Sequence, residues 1–205
     1  MVDGSAVRKG TVLRGAAGGA IAFALGYLLT WILAGTRVAN VTANELLGGA
    51  IPDWNALVWV FYDAHFVGTR TPEVFGPDGF FLGGGDLVDT VSLLGVESLY
   101  LVPVIVLAVG GAVVATRADT SVPRDGAMVG ATLAVGYFAA VFLGLFPATH
   151  SGIAPSPLRA LVIAGIVYPI VFGAIGGGLA GLYRQRVAGR TRGHFDGTGT
   201  TANDE

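Results

Sequence analysis

The chain has 205 residues, of which 53% are hydrophobic and 13% charged, with a net charge of −2. A soluble domain carries about 25% charged residues, so a water-soluble globule is excluded. A disordered chain is excluded as well, because the apolar content is far too high. With a mean hydropathy of +0.67, the sequence reads as an all-α membrane protein of the cell membrane, with the lipid bilayer as its first partner.

There is no cysteine, which excludes disulfides, thiolate metal sites and cysteine nucleophiles. His65, His150 and His194 lack metal-ligand spacing. Lys9 is the only lysine, and aspartate outnumbers glutamate ten to four. That balance suits a protein facing very high salt; a GC-rich genome gives the same pattern.

A helix needs about 20 apolar residues to cross a bilayer, and four stretches qualify. A basic N-terminus, 1–14, leads into the first span, 15–34. An insertion over 35–97 follows, acidic and aromatic. The second span is 98–116, a short loop covers 117–125, and the third span is 126–146. A second loop, 147–157, leads to the fourth span, 158–183, and the tail is 184–205 with a partly disordered end. Arg8, Lys9 and Arg14, then Arg117 and Arg124, then Arg184, Arg186, Arg190 and Arg192 all fall on one side. Cations mark the cytoplasmic face, so both termini are expected inside and the insertion outside. The first span is longer than a signal-peptide apolar run and is expected to be retained.

Within the insertion, Thr42-Ala43-Asn44-Glu45 fits a capping box for a helix to about Gly48. Asp53 is expected to cap a second helix to about Phe66, and Asp86 to begin a third. The second is too short to span. Its Trp54, Trp59, Phe61 and Tyr62 suit the headgroup level, so the sequence predicts a helix flat on the outer surface, with packing over the bundle mouth as the competing arrangement. His65 is expected to be interfacial. Asp78, Asp86 and Asp89 lack the calcium-loop pattern and read as solvated acidic surface. Asn40-Val41-Thr42 is a glycosylation sequon.

An internal repeat ties the spans together. Arg14, Ala17, Ala24, Gly26 and Tyr27 recur as Arg124, Ala127, Ala134, Gly136 and Tyr137. Pro103 and Pro169 each begin a Pro-x4-Ala-(Val/Ile)-Gly-Gly run. The four spans are therefore expected as two pseudo-repeated hairpins of the same orientation. Small residues four apart allow close helix contact: Gly18, Ala22 and Gly26 in the first span, Gly126 and Gly130 in the third, Gly173, Gly177 and Gly181 in the fourth. Pro103, Pro169, Tyr27 and Tyr137 are the candidate hinge and pathway residues. No acid, lysine or histidine stands in mid-span, which weighs against a self-contained proton-driven pump.

No catalytic set, phosphate loop or metal cluster is visible; neither an enzyme nor a cofactor is expected, and the short basic tail does not suggest a nucleic-acid partner. Arg14-Gly15-Ala16-Ala17-Gly18-Gly19, four spans, an acidic segment after the first and a glycine-rich last span together resemble a family of uncharacterised haloarchaeal membrane proteins, sometimes loosely labelled transporters. The resemblance implies a small transporter or channel-like module acting as a homo-oligomer. The alternative is a non-catalytic accessory subunit that presents its external segment to a membrane partner protein.

Overall fold

The computed structural model describes residues 9–42, 51–70, 74–75, 81–82 and 87–195. The fold is mostly helical, and four of its helices are long and apolar enough to cross a membrane. The first, α1 (Lys9–Thr42), is a single 34-residue helix. The second opens with a 3₁₀ turn, Glu97–Tyr100, and continues as α4 (Leu101–Arg117). The third joins α5 (Pro123–Ala131) to α6 (Leu133–Ala148) at Thr132. The fourth runs through α7 (Pro157–Arg159), a π-helical segment Ala160–Val167, and α8 (Tyr168–Phe195).

Two of these helices outrun the spans read from hydropathy. At about 1.5 Å per residue, α1 reaches roughly 50 Å, well beyond a hydrocarbon core of about 30 Å. The helix continues eight residues past the expected end of the first span at 34, and Asn40 lies exposed in the last turns of α1. The extension is anchored: Arg37 donates from one guanidinium nitrogen to the carbonyls of Leu94 and Gly95, both at 2.9 Å. At the other end of the chain α8 continues to Phe195, twelve residues past the expected helix end at 183; the expected disordered end lies outside the described residues.

Proline explains the break in the fourth helix. A proline ring collides with the carbonyl four residues back and supplies no N–H. Pro169 would meet the Gly165 carbonyl, and the chain widens into π geometry over the preceding Ala160–Val167. Pro103 meets less resistance, because it sits in the first turn of α4 directly after the 3₁₀ turn. Both prolines are buried.

Glycine closes the half of the bundle that carries Arg14, Arg117 and Arg184. A Cβ on Gly130 would fall 2.0 Å from the Gly173 carbonyl oxygen, and one on Gly177 would fall 2.1 Å from that of Gly126. Gly181 meets Val122 and Pro123, Gly176 meets Ala108, and Gly136 meets Ala16, again backbone to backbone. Such contact is the means by which apolar helices associate without a hydrophobic driving force between them. Leu133 fills the centre, fully buried, with Gly18, Gly110 and Gly173 around its methyl groups. Gly26 differs: it faces the Phe61 ring of the insertion, whereas its sequence counterpart Gly136 faces α1. At the rim, Arg184 pairs with Asp119 at 2.9 Å and donates to the Thr116 carbonyl at 2.8 Å.

The opposite half of the bundle is built around the insertion. Its helix α2 (Asp53–Asp63) is followed by β1 (Thr69–Arg70), β2 (Val74–Phe75), β3 (Phe81–Leu82), β4 (Leu87–Val88) and α3 (Thr90–Leu93). A three-stranded antiparallel sheet has the order β4-β1-β5, where β5 is Ala154–Pro155 between the third and fourth long helices. Thr69 pairs with Val88 on one side and Pro155 on the other. The sheet therefore fastens the insertion to the loop of the second half. β2 and β3 pair with each other. Two of the expected helix starts are corrected. Pro52, extended at φ −62° and ψ 139°, precedes α2, and Asp53 lies inside its first turn. Asp89 starts α3 by accepting from the Val91 and Ser92 amides, in place of Asp86. The capping box at 42–45 falls on residues 43–50, outside the described residues, apart from Thr42 at the end of α1.

Candidate functional site

The structure corrects the expectation of a surface-lying α2. Trp59, Phe61 and Tyr62 are buried, at 5%, 1% and 0% exposure, and only Trp54 remains half exposed. A helix apolar on all sides belongs inside a protein, and α2 carries Leu57, Trp59, Val60, Phe61 and Tyr62 around its whole circumference. One side packs with Ala34, Val38, Val91 and Leu99, and another joins the bundle core with Leu133 and Val141.

A ladder of polar contacts sets the direction of α2. The last carbonyls of a helix lack partners within it, and those of α6 find them in α2. Asn55 Nδ2 donates to the Pro147 carbonyl at 2.8 Å, and Trp59 Nε1 donates to that of Ala148 at 2.6 Å. One turn on, the Tyr62 hydroxyl donates to the Val141 carbonyl at 2.7 Å. His65, just past the helix end, reaches the Tyr137 hydroxyl at 2.7 Å. From Trp59 to His65 the partners step back along α6, from Ala148 to Tyr137, so the two helices run antiparallel. The insertion re-enters the bundle and delivers its end to the middle of the third long helix. Tyr27 joins from α1 by donating to the Trp54 carbonyl at 3.4 Å.

His65 is fully buried, contrary to its expected interfacial place. Its Nδ1 faces the Phe61 carbonyl at 2.9 Å, which can only accept, so Nδ1 carries the proton. Nε2 then accepts from Tyr137. The Phe61 ring stands edge-on to the imidazole at 5.0 Å and the Tyr168 ring is tilted at 5.0 Å. Burial without a counter-charge pushes the His65 pKa down to about 4, against which the Phe61 hydrogen bond acts weakly. Tyr168 is the first residue after the π-helical segment, and such segments recur at functional sites.

Two residues before His65, Asp63 turns to the other side. Its carboxylate accepts from the Thr90 amide at 2.9 Å, the Thr90 hydroxyl at 2.7 Å and the Thr69 hydroxyl at 3.1 Å. It ties α2 to β1 and α3 at once. Burial raises its pKa to about 6, despite the opposing hydrogen bonds from Thr90 and Thr69. Beyond it, Asp89 accepts from the hydroxyls of Ser92 and Tyr100. The chain turns back through Phe66 and Gly68, both at positive φ, and Phe66 stacks on Tyr100 with ring centres 4.5 Å apart.

One polar atom of the ladder is left over. Asn55 Oδ1 is buried and has no hydrogen-bond partner. With Tyr62, His65 and Tyr137 it forms a polar seam from the rim of the bundle to its middle, where the glycine-closed half begins. A neutral imidazole against a phenol can relay a proton or hold a small polar solute. Among the described residues no group of three His, Asp or Glu is placed to hold a metal ion.

Of the residues singled out from sequence, Tyr137 lies in this seam and Tyr27 at its rim. Pro103 and Pro169 shape α4 and the fourth long helix. Asn55, Asp63 and His65 were not recognised as site residues. The available signal was the absence of any polar face on the eleven residues of α2.

The architecture is a helical bundle with four helices long and apolar enough to cross a membrane, into which the shorter α2 is folded. The chain belongs to a family of unknown function, DUF7978, whose profile matches residues 3–184. Comparison with curated proteins and with solved structures finds no match.

Proposed function

We propose that this protein is a multi-pass protein of the cell membrane, with cytoplasmic termini, that works as a small transport or channel-like module in a homo-oligomer. The observation that carries the reading is the placement of His65 against Tyr137 at mid-bundle by a re-entrant helix. An ionisable side chain at that depth is costly and is found where solutes or protons pass. Re-entrant backbone is tolerated in a membrane only inside protein or along a cavity. The polar seam is the outward half of a pathway, and the glycine contacts are the closed inward half. A two-hairpin origin fits the recurrence of Pro103 and Pro169, with the insertion having reshaped the first copy. The accessory alternative loses support, because the aromatic residues it would offer a partner are consumed in the core.

The test is flux from sealed proteoliposomes. Wild-type protein is expected to dissipate an imposed proton gradient, or to pass members of a panel of small uncharged solutes, faster than empty vesicles. His65→Gln and Tyr137→Phe are expected to slow it at least tenfold while remaining folded. Folded wild-type protein that moves neither protons nor any solute would overturn the reading. Orientation has its own test, because the chain has no cysteine. Thr149→Cys in intact cells is expected to react with an impermeant maleimide, and Ser121→Cys only after permeabilisation. The reverse pattern would invert the topology.

A further inference from the structure

The four long helices do not pack equally. α1 lies tightly on α6, α4 on α8 and α5 on α8, whereas contact between α1 and α4 is looser. Between those two helices a groove of about 840 Å³ opens. Its floor is small: Gly18, Ala22 and Gly110. Its rims are exposed apolar side chains, among them Ile21, Leu25, Val109 and Val113. Among the described residues, the charged ones lining it are Arg14 and Arg117.

Register puts those two arginines together. A Cβ on Gly18 would lie 3.0 Å from Val114, and one on Gly110 would lie 3.9 Å from the Ala22 Cβ. α1 and α4 are therefore antiparallel, with 18 opposite 114 and 22 opposite 110. Arg14, one turn before Gly18, stands level with Arg117, one turn after Val114. Both are exposed, and among the described residues neither guanidinium has a hydrogen bond or an ion pair, unlike that of Arg184. From Arg14 to Leu29 the groove follows about 22 Å of helix, longer than the roughly 15 Å of one leaflet's hydrocarbon.

We propose that this groove is a binding site for one anionic membrane phospholipid, with its phosphate held between Arg14 and Arg117 and one acyl chain laid along Gly18, Ala22 and Gly110. Charge selects the occupant. Two unpaired guanidinium groups at one end of an apolar slot, with no carboxylate among the described residues lining it, match an acyl chain that ends in a phosphate. The site rests on the membrane reading above, but not on transport.

The test uses protein in nanodiscs of equal phosphatidylglycerol and phosphatidylcholine with chains of distinguishable mass, released for native mass spectrometry. Wild-type protein is expected to keep one phosphatidylglycerol, preferred over phosphatidylcholine by roughly 5-fold per arginine and on the order of 30-fold for the pair. Arg14→Gln with Arg117→Gln is expected to keep a lipid but lose the preference. Ala17→Phe fills the groove from an exposed position, and is expected to lose the lipid at unchanged thermal stability. Arg186→Gln, outside the groove, is expected to behave as wild type. Equal retention of the two lipids by wild-type protein would overturn the site. So would a lipid that persists in Ala17→Phe, or a second copy of the chain displaced by it. Failure of the wild type to float with vesicles would overturn the membrane reading itself.

Discussion

Leu133→Ala is expected to destabilise the protein by about 2–5 kcal/mol, among the largest losses a single core substitution produces. The reason lies in what surrounds the side chain. Leu133 is fully buried, and its methyl groups are bordered by glycines from three other helices, Gly18, Gly110 and Gly173. Most truncated core sites are partly refilled when neighbouring side chains lean in. These neighbours have no side chains, and the backbones beside them are already in contact. The cavity therefore stays open, and the cost lies toward the upper end of that range. Thermal or denaturant unfolding in nanodiscs measures it. Leu133→Met, close in volume, is expected to cost under about 1.5 kcal/mol. Equal losses for the two variants would show that the site collapses and that the glycine frame is not rigid.

The second large effect is opposed in the wild type and appears in full only in variants. Asp63 goes from the usual 3.8 to about 6 on folding. The folded protein holds that proton more tightly than the unfolded chain, so the resulting stability is full below pH 3.8 and is lost as pH rises through 6. His65 goes from 6.5 to about 4. The folded protein holds that proton less tightly, so its contribution is full above pH 6.5 and is lost as pH falls through 4. At about 1.4 kcal/mol per pH unit, each group contributes on the order of 3 kcal/mol, over nearly the same window and with opposite sign. In the wild type the two slopes oppose each other. His65→Gln leaves Asp63 alone, and this variant is expected to be more stable at pH 4 than at pH 7 by about 3 kcal/mol relative to wild type. Asp63→Asn leaves His65 alone and is expected to be less stable at pH 4 by a similar amount. Melting curves of the three proteins across pH 4–7 decide it. Variants that follow the wild-type profile would mean that neither group changes its protonation on folding.

The sequence made the long helices legible because each is an uninterrupted apolar run with basic residues at one end. It also marked where glycine is dense, although not which glycines would meet: Gly126 and Gly130 pair with Gly177 and Gly173, while Gly26 turns to Phe61. The site was far less legible. Eleven residues rich in tryptophan and tyrosine fit the headgroup level and a buried slot equally well by composition. What separates the two is the supply of partners, and those lie 72 to 92 residues away, at Tyr137, Val141, Pro147 and Ala148. Asp63 was unreadable for the same reason, because Thr69 and Thr90 are ordinary loop residues until the sheet brings them to it. Strands of two residues carry no period, so the sheet left no trace in the sequence.

The long reach of these contacts orders events during synthesis. Asn55, Trp59, Tyr62 and His65 leave the ribosome well before the α6 residues that satisfy them, and β1 precedes β5 by some eighty residues. Until the third long helix is made, α2 has no carbonyl ladder to descend, and until the loop at 154–155 follows, no strand fastens it there. The N-terminal half is therefore a client of the half translated after it. A ribosome stalled before residue 137 holds a nascent chain whose most aromatic segment has no interior to enter.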